Sequence, residues 1–104
     1  MRIVITSRAE RDLDGHFEYV LERNPEAALR MYDAIVNQIM SLREFPYRTR
    51  QGRVPGTREL VIMNYPYIVV FEIGVDEIII LHVNHAHQQW PTAGIRNQGS
   101  GTIE

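Results

Sequence analysis

Three histidines near the end of one β-run, in Leu81-His82-Val83-Asn84-His85-Ala86-His87, are the side chains here whose chemistry fits proton transfer near neutral pH. An unperturbed imidazole titrates at about 6.5. The same cluster raises the question of a metal. Strand alternation sets His85 and His87 on one face, if the strand continues that far, and His82 on the other. No carboxylate lies at a useful spacing, and zinc needs three or four convergent ligands. The expectation is therefore no metal and no cofactor, with His85 and His87 as acid–base candidates. The competing reading is structural: His85 donates to a backbone carbonyl and pins the strand end.

A second set of candidates is cationic. Every basic residue is an arginine, and Arg43, Arg48, Arg50, Arg53 and Arg58 fall in a stretch whose one acid is Glu44, inside a chain of net charge −2. A planar guanidinium pairs well with phosphate or carboxylate. Arg48, Arg50, Arg53 and Arg58 are thus candidates for contact with an acidic protein partner or a target phosphate, and Arg58 is also a candidate catalytic cation. The alternatives are a solvated loop and, for Arg58, an ion pair or rim charge beside Glu59. Trp90 is a further contact candidate, set against a role as a lid on the core.

Other chemistries are missing from the sequence. There is no cysteine, hence no disulfide, thiolate metal site or cysteine nucleophile. No glycine-rich phosphate loop, serine nucleophile motif or paired-carboxylate spacing occurs. No run of about 18 apolar residues is available to span a membrane. The opening Met1-Arg2-Ile3-Val4-Ile5-Thr6 passes straight into charged sequence, unlike a signal peptide, so a cytoplasmic protein is expected. A length of 104 residues with 44% hydrophobic and 23% charged residues suits one globular domain.

The elements that must hold these residues can be read in order. Arg2 to Thr6 is β-branched and reads as a strand. Ser7-Arg8-Ala9-Glu10 fits a capping box opening a helix that runs to about Arg23, with Ala9, Leu13, Phe17, Val20 and Leu21 on one stripe. Asn24-Pro25 starts a second helix, which carries Ala28, Met31, Tyr32, Ile35, Ile39 and Leu42 on one face and ends before Pro46. With so short a link the two helices form an antiparallel hairpin. Tyr47 to Thr57 reads as a loop. Arg58–Met63, Tyr67–Ile73 and Glu77–Asn84 read as three antiparallel strands joined by tight turns. The fold class expected is α+β, in the order β-α-α-β-β-β, with the helix hairpin on one face of a small, mostly antiparallel sheet.

Both faces of that sheet are apolar by alternation. Tyr67, Val69, Phe71 and Ile73 oppose Ile68, Val70 and Glu72; Ile79, Leu81 and Val83 oppose Ile78, Ile80 and His82. The hairpin can cover only one face. The other calls for cover by the C-terminal segment or by another chain, and the apolar-poor tail favours another chain. Glu72 is the polar group on the strand faces expected to find a partner. Residues 1–91 make up the domain, and 92–104, with three glycines, read as a disordered tail.

This order of elements resembles the RelE/ParE superfamily of bacterial toxins. Arg53-Val54-Pro55-Gly56-Thr57-Arg58-Glu59-Leu60-Val61 resembles a motif of its plasmid-stabilisation branch, Tyr67-Ile68-Val69-Val70-Phe71 its third strand, and Leu81 through Gln88-Gln89-Trp90-Pro91 its C-terminal signature. The resemblance covers about residues 2–91. It implies the toxin of a type II toxin–antitoxin module, a small cytoplasmic protein that inhibits growth and is neutralised by a tightly bound cognate antitoxin. It also implies that operator DNA is met only through that antitoxin.

Two targets divide the superfamily. RelE-like members cut mRNA in the ribosome without a metal; ParE-like members poison DNA gyrase and are not nucleases. Cleavage needs a base for the ribose hydroxyl, cations for the phosphate and an acid for the leaving oxygen. The RelE-like positions for these groups fall here at Met63, at His87 and Gln88, and near Trp90. An mRNA interferase would therefore rely on Arg58, His85 and His87 instead. A third alternative is a catalytically degenerate homologue that serves only as antitoxin partner and corepressor.

Overall fold

The β-branched run Ile3-Val4-Ile5 forms strand β1 (Arg2–Ile5), and the chain turns at once into helix α1 (Ser7–Leu21). The cap of α1 is Thr6 rather than Ser7. Its backbone is extended, and its hydroxyl accepts from the Ala9 amide at 3.2 Å while donating to the Ile80 carbonyl at 2.8 Å. The second bond decides the matter: Thr6 is buried against the sheet, whereas Ser7 is exposed. Helix α2 (Pro25–Ser41) starts as its sequence predicts, with the Asn24 side chain accepting from the Ala27 amide at 3.1 Å. The hairpin is closed by Phe17 of α1 against the edge of Tyr32 of α2.

The structure, a computed structural model, describes residues 1–88. After a short 3-10 turn (Pro46–Arg48) come β2 (Arg50–Gln51), β3 (Arg58–Val61), β4 (Tyr67–Ile73) and β5 (Glu77–His85). They form one sheet in the order β1-β5-β4-β3-β2, antiparallel except for the β1–β5 pair. The parallel pair follows from the helix hairpin, which carries the chain over one face of the sheet. The two-residue β2 lies inside the segment read as loop. Its pairing rests on tertiary bonds to Glu59, described below, and not on β-propensity.

The core lies between hairpin and sheet. Leu13, Met31, Ile35, Ile39 and Leu42 meet Ile62, Val69, Phe71, Ile78, Ile80 and Val83. Phe71, at full burial, is central to it. This corrects the alternation read for the last strand. Val70 faces His82 but Phe71 faces Ile80, so Leu81 is the extra residue of a β-bulge. Ile78 and Ile80 therefore share the helix face with Val83, and Leu81 joins Val70 on the other side. Val54, from the loop before β3, packs on that second cluster. Part of the cover for the open face thus comes from an internal loop, a source the sequence had not suggested.

Candidate functional site

At the end of β5 the rings of four residues follow one another. His16 of α1 lies 4.7 Å from the Tyr67 ring, Tyr67 lies 5.5 Å from His85, and His85 lies 5.4 Å from His87. β5 ends at His85, and the turn after it folds back: the His87 amide donates to Nδ1 of His85 at 3.2 Å, and the His85 amide donates to the Gln88 side chain at 3.2 Å. His85 thus accepts a backbone bond, the reverse of the donation expected from sequence. Its neutral ring carries its hydrogen on Nε2. Burial raises the Tyr67 phenol above its ordinary value, and Tyr19 pushes it the same way, so Tyr67 serves as a hydroxyl donor and not as a base near neutral pH.

Two residues inward, at Val83, α1 clamps the edge of β5 where β1 has ended. The Val83 amide donates to Asp12 Oδ2 at 3.1 Å, and His16 Nε2 donates to the Val83 carbonyl at 2.7 Å. Asp12 and His16 are one helical turn apart, so one face of α1 supplies both partners that a strand would have supplied. Arg8 Nε reaches Asp12 Oδ1 at 3.1 Å, and His82 Nδ1 lies 3.6 Å from Oδ2. Burial pushes the Asp12 carboxyl up, but His82, the Val83 amide and Arg8 together outweigh it and hold the group below its ordinary value.

The arginine segment is organised around a carboxylate. Glu59 is 1% exposed and accepts from Arg50 Nε at 3.1 Å, Arg50 Nη2 at 2.8 Å and the Arg53 amide at 2.9 Å; Arg53 Nε lies 3.6 Å away. Glu59, not Glu72, is the acid that the sheet encloses in polar partners. Arg58 does not pair with it. Its guanidinium donates to the Thr49 hydroxyl at 2.9 Å and to the backbone carbonyls of Thr49 and Tyr47, bracing the 3-10 turn. Arg48 stacks over Phe45 at 4.2 Å. Among the described residues Arg43 and Arg48 meet no carboxylate.

The structure therefore brings His85 and His87 together but leaves Arg58 apart. Arg58 is paired with Phe71, and His85 with Tyr67, on opposite sides of β4. Phe71 and Tyr67 are four positions apart, about 13 Å along the strand. Trp90 and the tail 92–104 lie outside the described residues. Asp12, His16, Tyr67 and Glu59 were not singled out as site residues; the visible signal for the first two was an acid and a histidine four apart, flanking the apolar stripe of an amphipathic helix. Among the described residues no group of three or more His, Asp or Glu could hold a metal ion, and no helix is long and apolar enough to cross a membrane.

A strand, a helix hairpin and an antiparallel meander closed by the first strand define a RelE/ParE-type toxin. The family model described as "ParE toxin of type II toxin-antitoxin system, parDE" matches residues 3–90, and the chain belongs to that family. It is 44% identical over 90 residues to a Sinorhizobium fredii protein named "Putative toxin Y4kP", covering 86% of this chain and 93% of that one. It is also similar to a chain of the solved "Chromosomal ParDE TA system from P. aeruginosa", with 29% identity, a TM-score of 0.78, and coverage of 84% of this chain and 97% of that one. The family implies an antitoxin partner.

Proposed function

We propose that this toxin arrests growth in the cytoplasm by binding DNA gyrase, is neutralised by a tightly bound antitoxin, and does not cleave mRNA. The observation that carries the choice of target is the position of Arg58. Phosphodiester cleavage needs a cation beside the acid–base pair. Arg58 is committed to the Thr49 and Tyr47 carbonyls, about 13 Å along the strand from His85. Of the other arginines, Arg50 and Arg53 are held by Glu59. Among the described residues the histidine end thus has proton-transfer groups without a positioned phosphate cation, which supports action by protein–protein contact. A supercoiling assay with purified gyrase, relaxed plasmid and ATP tests this. The chain should inhibit supercoiling or trap cleaved DNA at equimolar ratio; full supercoiling at tenfold excess of toxin would overturn it.

One observation favours a second reading. His85, His87 and Tyr67 are adjacent, and Tyr67 is a protonated donor. If these residues work as acid and base on ribosome-bound mRNA, replacing both histidines abolishes toxicity while leaving folding intact. On the gyrase reading the same double variant stays toxic.

A further inference from the structure

One buried isoleucine belongs to neither apolar cluster. Ile68 is 8% exposed, yet it is part neither of the core between hairpin and sheet nor of the group around Val70 and Leu81. Its strand neighbours Tyr67 and Val69 lie in the core under the helices, so Ile68 points to the helix-free face. Across the strands it stands between Val61 of β3 and Asn84 of β5. Asn84 is 4% exposed, and its Nδ2 meets no hydrogen-bond partner among the described residues. Val61 is half exposed. Val54 serves the next row along, at Val70 and Leu81.

A bare sheet face would leave Ile68 and Asn84 open to water, and a buried amide nitrogen needs an acceptor. The row therefore calls for a cover that is apolar over Ile68 and offers an oxygen to Asn84. The end of β5 delivers the chain to this place. The Ala86 amide donates to the Pro66 carbonyl at 2.7 Å, and the Gln88 amide donates to the His85 carbonyl at 3.0 Å. The turn after β5 is thus pinned beside the start of β4, next to Ile68.

The sequence goes on from there with Gln89-Trp90-Pro91. Trp90 follows Gln88 by two residues, about 7 Å of chain at most. The row from Asn84 to Val61 spans two strand spacings, about 10 Å, and one tryptophan buries about 150–250 Å². A residue before proline is held extended, and proline has no amide to donate, so carbonyls of this stretch are left to accept from a side chain. We propose that Gln89-Trp90-Pro91 folds back over the helix-free face, with the Trp90 indole on Ile68 between Val61 and Asn84, and with a backbone carbonyl of the segment accepting from Asn84 Nδ2. Trp90 is then an internal cover and not a contact for antitoxin or target. A segment tethered this closely has an effective concentration in the mM range, so a partner that takes this face must first displace Trp90.

Trp90 is the single tryptophan of the chain, so the full-length protein carries its own probe. Nuclear Overhauser effects should link the indole protons to the methyl groups of Ile68 and Val61. In an equimolar mixture of isotope-labelled and unlabelled chain, the spectrum filtered for contacts between molecules should lack them. Acrylamide should quench Trp90 at least about threefold more slowly than free N-acetyltryptophanamide. Val61→Ser, at a half-exposed position that folding tolerates, should speed quenching by about 1.5-fold, while Val75→Ser, in the turn at the far end of β4, leaves it unchanged. Quenching at the free rate in a chain that melts cooperatively in urea overturns the proposal. So do indole contacts to the helix hairpin in place of Ile68, and so do contacts found between molecules, which would give the face to a second copy.

Discussion

Replacing Glu59 tests whether the arginine segment is scaffold or site. The carboxylate is buried, whereas the Arg50 and Arg53 side chains are 52% and 42% exposed. Glu59→Ala removes acceptors for three hydrogen bonds. A hydrogen bond to a charged group contributes about 1.5–3 kcal/mol when shielded. The arginine heads can turn into water, so their share falls to about 1 kcal/mol together. The Arg53 amide has no such freedom, and leaving it unanswered costs about 1–2 kcal/mol. The lost side-chain volume adds about 1 kcal/mol. The total is about 3–4 kcal/mol, and about 2 kcal/mol for Glu59→Gln, which keeps one acceptor. With an m-value of about 1–3 kcal/mol/M, the urea midpoint of the alanine variant falls by at least about 1 M. Arg50→Ala in the Glu59→Ala background should then add little, because the pair is already broken. An unchanged midpoint in Glu59→Ala, or full additivity of the two changes, would refute the view of Arg50 and Arg53 as structural.

Other consequences follow from the same contacts. The Asp12 carboxyl is held below its ordinary value, so its contribution is complete above about pH 4 and is lost as pH falls through its folded-state value. Asp12→Asn should therefore flatten the acid limb of a urea-midpoint-versus-pH curve, and an unchanged limb would contradict the β5 clamp. Thr6→Ala removes both the α1 cap and the bond to the Ile80 carbonyl, and a loss of about 2 kcal/mol in denaturant melts is expected. At Gly52 an added Cβ would stand 2.0 Å from the Thr57 hydroxyl and 3.1 Å from its backbone carbon, so Gly52→Ala should cost about 1–3 kcal/mol and lower Tm. Arg58→Ala should loosen the Pro46–Arg48 turn, seen as faster hydrogen exchange there, without removing toxicity.

The sequence was legible where local chemistry set the outcome. The Asn24-Pro25 start of α2 and the apolar stripes of both helices followed from capping and periodicity, except that Leu21, at the end of α1, is exposed. The cap of α1 moved by one residue because a sheet carbonyl claimed Thr6. The faces of β5 were misread because a bulge at Leu81 resets a period of two, and nothing in Ile78-Ile79-Ile80-Leu81 marks where the extra residue falls. At the candidate site, the nearness of His85 and His87 was readable from spacing. The commitment of Arg50 and Arg53 to Glu59 was not, since it depends on two residues of loop pairing with β3. The bond between α1 and the Val83 backbone was equally hidden, because it forms only where β1 stops short of the end of β5.

The central claim is that this toxin acts by contact and not by cleavage. It is tested most directly by inducing the chain in a bacterial host, with mRNA 5′ ends mapped and gyrase-linked DNA breaks scored in one culture. The account predicts DNA breaks with intact mRNA, unchanged when His85 and His87 are both replaced by alanine. Cuts within translated codons, intact DNA, and loss of both toxicity and cutting in the double variant would contradict it.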